Sequence, residues 1–170
     1  MLVTVLCHNR FKLASPDIGE AVVAKSIPNE YEKDFYAWAV HNAKLLRTGK
    51  LSEVDIEHVA EEIESMGKSE KRELINRLAV LMAHLLKWQH QAAQRSRSWE
   101  LTIKEQRFEL TDLLDESPSL KHELEKQMAH AYRKALLIAE KDTGVEAKNF
   151  QKQCPFTFKQ ILNQHFFPAT

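Results

Sequence analysis

Apolar side chains recur along the chain at helical spacing, and glycines and prolines punctuate the runs. Tyr31, Phe35, Trp38, Ala39, Leu45 and Leu46 fall on one face behind Asn29, a candidate N-cap, and predict a first helix that stops near Gly49. Ile56, Val59, Ala60, Ile63 and Met66 make a second stripe, opened by Asp55 and closed by Gly67. Leu74, Leu78, Leu81, Leu85 and Trp88 follow Ser69. Ile75, Ala79, Met82 and Leu86 widen that stripe, so the third helix is expected to be central. Trp99, Ile103, Leu110, Leu113 and Leu114 predict a fourth helix behind Ser98 as cap. Leu120, Leu124, Met128, Ala131, Ala135 and Ile138 predict a fifth, running from Ser117-Pro118 to just before Gly144.

The chain of 170 residues has four glycines and five prolines, and Asn-Gly, Asp-Gly and Gly-Gly pairs are missing, so hairpin chemistry is missing with them. The fold class that follows is all-α: a single-domain bundle of about five main helices with short links. Residues 150–168 carry Phe150, Phe156, Phe158, Phe166 and Phe167, and Pro155 and Pro168 bracket a short helix around Gln160 to Asn163. That aromatic-rich C-terminal segment is expected to pack back onto the bundle. Residues 1–28 open with Leu2, Val3, Val5 and Leu6, too short for the core of a signal peptide. They read as a peripheral N-terminal arm or extension, leaving 29–170 as the helical domain.

Lys and Arg number 24 against 24 Asp and Glu, and this balance removes the global electrostatic case for nucleic acid or a membrane surface. No apolar stretch approaches a membrane span, so no membrane partner is expected, and the location expected is the cytoplasm. Cys7 and Cys154 make neither a disulfide framework nor a metal cluster, and Cys154 before Pro155 reads as core. A di-iron bundle needs Glu-x-x-His on two helices, whereas the nearest run here is His58-Val59-Ala60-Glu61, in reverse order. His84 and His90, six apart, cannot share a helical face. Phosphate-loop, nucleophile-elbow and dinucleotide patterns do not occur. No metal and no cofactor is expected.

Charge is nonetheless segregated. Residues 50–66 hold one Lys against six acids, and residues 68–107 hold nine Lys or Arg against four Glu. Antiparallel neighbours of opposite sign would pair their flanks, each exposed pair contributing a few tenths of a kcal/mol. Arg77 and His84 lie on one edge of the third stripe, continued by Arg95; Glu62 and Glu64 flank the second; Gln106 sits inside the fourth, with Arg107 beside it. If the second helix folds back on the third, Glu62, Glu64, Arg77, His84, Arg95, Gln106 and Arg107 become a candidate polar cluster. It reads first as a structural network, because a buried charge has to be paired. The alternatives are an anion or small-ligand pocket and an acid/base pair of His84 with a Glu. No catalytic residue is assigned.

Laid in order, Tyr31-Glu32-Lys33-Asp34-Phe35-Tyr36-Ala37-Trp38, Ala60-Glu61-Glu62-Ile63-Glu64-Ser65-Met66-Gly67, His84-Leu85-Leu86-Lys87-Trp88, Arg95-Ser96-Arg97-Ser98-Trp99, Ser117-Pro118-Ser119-Leu120 and Cys154-Pro155-Phe156-Thr157 form a linked series. The series resembles the bacterial, largely cyanobacterial family catalogued as domain of unknown function number twenty-nine. The resemblance covers about residues 30 to 168 and leaves 1–28 outside. It implies a small helical protein and no particular activity. Most of the candidate cluster lies within these motifs.

Three functions are weighed. The first is an interaction module that binds another protein, or a second copy of itself, through an exposed apolar patch. The second is an enzyme or small-ligand binder built on the polar cluster. The third is a nucleic-acid-acting component of a toxin–antitoxin-like system that uses the basic 68–107 face, with strong salt dependence.

Overall fold

Asp34 interrupts the first predicted helix almost as soon as it starts. In the structure, a computed structural model that describes residues 30–169, α1 spans only Glu30–Lys33. The Asp34 carboxylate then accepts from the Ala37 amide at 2.9 Å and caps α2, Phe35–Arg47. Gly49 follows at φ +71°, in the left-handed region that ends helices. The predicted Asn29 cap and the N-terminal arm lie outside the described residues.

The second and third predicted helices are one. α3 runs unbroken over Ile56–His90, 35 residues, and Gly67 lies inside it with an ordinary helical backbone and open space where a side chain would be. One exposed glycine costs a helix about 1 kcal/mol, and its surroundings offset that. Glu64 reaches Lys68 across it at 2.9 Å, and Glu73 reaches Arg77 at 2.7 Å further along the helix. No proline or left-handed residue enforces a stop there.

Three shorter α-helices follow among the described residues: α4 (Arg97–Glu116), α5 (Leu124–Thr143) and α6 (Phe158–Leu162). α4 is capped by Ser96, not Ser98: the Ser96 hydroxyl accepts from the Trp99 amide at 3.3 Å. Pro118 opens a 3-10 segment, Pro118–Glu123, that leads into α5, and Gly144 at φ +70° closes α5. Thr157 and Gln160 cap α6 reciprocally. Among the described residues the regular structure is all helical, as the sequence predicts.

The described residues fall into two compact units, divided at residues 59 and 60 within α3. In residues 60–169 the Leu74, Leu78, Leu81 and Leu85 stripe is fully buried, as the spacing requires. Ile103, Leu110 and Leu114 of α4 and Ala131, Ala135 and Ala139 of α5 pack with it. Phe150, Phe156 and Ile161 seal this core, so the aromatic segment does fold back. Burying each such side chain contributes on the order of 2 kcal/mol. The Ile63 and Met66 portion of the second stripe, by contrast, is exposed.

Candidate functional site

In residues 30–59 the buried centre is small: Trp38, Leu45 and Val54, with Asn42. Polar groups organise it. The Asn42 amide donates to the Trp38 carbonyl at 3.0 Å, and its oxygen accepts from the Asp55 amide at 2.9 Å. One carboxylate oxygen of Asp55 accepts from the Trp38 indole at 3.0 Å and lies 2.7 Å from Nδ1 of His58. Tyr31 stacks on the His58 imidazole at 4.2 Å between ring centres and meets Trp38 edge-on at 4.8 Å. Burial raises the Asp55 pKa, but the hydrogen bonds from His58 and Trp38 and the His58 charge outweigh burial and hold it below its ordinary value.

The outer side of this unit is apolar. Phe35, Tyr36, Val40 and Leu46 of α2 are 52, 78, 52 and 45% exposed, and Leu51 and Ile56 are also uncovered. Phe35, Leu46 and Ile56 belong to the apolar stripes that spacing picks out, yet they are uncovered. The period identifies the apolar side of a helix without saying whether anything covers it.

The seven residues of the candidate polar cluster do not converge. With no turn at Gly67, the α3 rise of about 1.5 Å per residue puts Glu62 roughly 33 Å from His84. Glu64 is exposed and paired with Lys68. Glu62 is half-buried. Arg77 pairs with Glu73 at 2.7 Å and with Glu109 of α4 at 3.1 Å, tying α3 to α4. His84 is half-buried, its Nδ1 2.9 Å from the Val80 carbonyl, and burial pulls its pKa down. Arg95 donates to the Trp88 carbonyl at 2.9 Å and lies over the Trp88 ring. Gln106 is half-buried on α4.

Arg107 is fully buried. Nε donates to the Ile161 carbonyl at 2.8 Å, Nη2 to Phe166 at 2.6 Å and Nη1 to Gln164 at 3.4 Å, while Phe167 lies under the guanidinium. Burial lowers its pKa to about 10, which still leaves it charged at neutral pH. The fork geometry of guanidinium suits this gathering of carbonyls from one segment. Arg107 therefore clamps the C-terminal segment to α4.

Two groupings escaped the sequence reading. Lys87 is buried, bonded to Asp142 of α5 at 2.7 Å and seated over the Trp99 ring at 4.6 Å. The His84-Leu85-Leu86-Lys87-Trp88 motif contains it, but nothing in the motif names the acid. The Trp38, Asp55 and His58 group joins a residue of the first apolar stripe, the residue that opens the second, and a histidine that the sequence weighs only against a metal motif. Cys154 is half-buried and donates to the Phe156 carbonyl, and burial pushes its thiol pKa up, in line with a core role. Among the described residues no group of His, Cys, Asp and Glu has the geometry to hold a metal ion, and no helix is long and apolar enough to cross a membrane.

A family model described as Domain of unknown function DUF29 matches residues 30–167. The chain belongs to this family. The DUF29 match includes residues of both units and reaches Phe167, the ring beneath Arg107. No curated protein and no solved structure matches the chain.

Proposed function

We propose that this DUF29 protein is a protein-interaction module and that residues 30–59 carry its binding surface. One observation supports the reading above all. Among the described residues, six of the eleven exposed large hydrophobics fall in these 30 residues, so the apolar exposure is concentrated rather than scattered. Only Trp38, Leu45 and Val54 are buried hydrophobics within residues 30–59, and the apolar side of α2 is left for another protein to cover.

The other two readings draw less support. A ligand site on the polar cluster needs convergence, and those side chains are spread from α3 to α4, with Glu64, Arg77, Arg95 and Arg107 held by partners within their own unit. A nucleic-acid face on residues 68–107 needs accessible cations. Of its nine bases, Lys87 and Arg107 are buried, Arg77 is held by two glutamates and Arg95 lies against Trp88. The free thiol of Cys154 fits a reducing compartment, and we place the protein in the cytoplasm.

The test compares proteins retained from the native cell extract by the wild type, by Val40→Glu and by Leu137→Glu, a control at an exposed leucine on α5. Loss of a defined set with Val40→Glu alone supports the reading. Identical sets from all three chains refute it.

A further inference from the structure

We infer that α2 pairs with α2 of a second copy of this chain, antiparallel, across a two-fold axis near Val40; the inference rests on the interaction reading above. Phe35, Tyr36, Val40 and Leu46 line the uncovered side of α2, and Ala39 and Ala43 lie between them. Those small side chains let a second helix axis come close.

Charge decides direction and occupant. The N-terminal end carries Glu30, Glu32 and Asp34 against the single Lys33. From residue 35 to 50 the charged residues are Lys44, Arg47 and Lys50, all basic. In a parallel pair like ends would face each other. In an antiparallel pair centred near Val40, the acidic end of each α2 faces the basic end of the other, and the two helix dipoles oppose. The same register sets Phe35 beside Leu46 of the second copy. An isologous contact of this kind closes on itself, so it yields a dimer and no open chain. It also covers the apolar side of α2 with the same side of a second α2.

The test uses the full chain. Light scattering is expected to give twice the 19.7 kDa chain mass. Val40→Glu places two carboxylates at the axis and is expected to weaken association about 100-fold, with an unchanged circular dichroism spectrum, while Leu137→Glu stays dimeric. Direction is read by cross-linking with a short bismaleimide in a Cys7→Ser, Cys154→Ala background. Val40→Cys is expected to link to itself. Phe35→Cys mixed with Leu46→Cys is expected to link, whereas Phe35→Cys alone is not. A chain that is monomeric throughout overturns the pairing, and so does a dimer in which Phe35→Cys links to itself. A monomer from which Val40→Glu still removes bound partners overturns the pairing alone. A monomer from which it removes none overturns the interaction reading as well.

Discussion

Arg107 of α4 donates its Nε–H to the carbonyl of Ile161 in α6 at 2.8 Å, across 54 residues of chain. The remaining guanidinium donors serve Gln164 and Phe166, so one buried side chain organises the segment after Thr157. Arg107→Met is expected to cost about 3 kcal/mol, because it leaves buried carbonyls without donors. Arg107→Lys is expected to recover little, since an ammonium cannot reproduce the fork. Urea unfolding gives the cost, and hydrogen exchange of residues 158–166 locates it. A loss under about 1 kcal/mol for Arg107→Met would show that the segment holds without the clamp.

Gly67 and Gly144 offer opposite outcomes from one substitution. Gly67 is mid-helix, with ordinary φ and free space at its Cβ position, so Gly67→Ala is expected to stabilise by roughly 0.5–1 kcal/mol. Gly144 sits at φ +70°, so Gly144→Ala is expected to destabilise by about 1 kcal/mol. Thermal melts of both variants decide this. Destabilisation by Gly67→Ala would mean that α3 is broken there.

Asp55 makes the 30–59 unit acid-sensitive. Its folded pKa is depressed, so its contribution is complete above the unfolded value of about 4 and disappears as pH falls through the folded value. The Trp38 indole N–H resonance, bonded to the same oxygen, is expected to shift in that acid window. Asp55→Asn should remove the step. A step of unchanged size in Asp55→Asn would assign it to another group.

His84 acts in a different window. Burial depresses its folded pKa, so the stability it contributes is complete above the unfolded value of about 6.5 and is lost as pH falls from there through the folded value. His84→Leu is expected to flatten the fall in melting temperature between about pH 6.5 and 5. Parallel curves for the two chains would clear His84 of that role.

Local chemistry was readable from the residues themselves. The apolar period located the Leu74 to Leu85 stripe, Gly49 and Gly144 marked helix ends, and the aromatics of 150–168 had to be covered. All of these follow from spacing, backbone preference and the cost of wetting large rings. Gly67 was misread because a glycine is the same letter whether it caps a helix or is carried through one. The neighbouring Glu–Lys and Glu–Arg pairs tip that balance by a fraction of a kcal/mol each.

The polar cluster fell with that misreading, since its convergence depended on a turn at Gly67. The pairings that replaced it join distant positions: Lys87 with Asp142, Arg77 with Glu109, Arg107 with the carbonyls of 161–166. What the sequence determined alone was which segments become helices and which side of each is apolar, because both follow from interactions within a few residues. Only the tertiary structure decided which apolar sides are covered and which charges meet. Burial and pairing depend on what else occupies the space, and no local pattern records that.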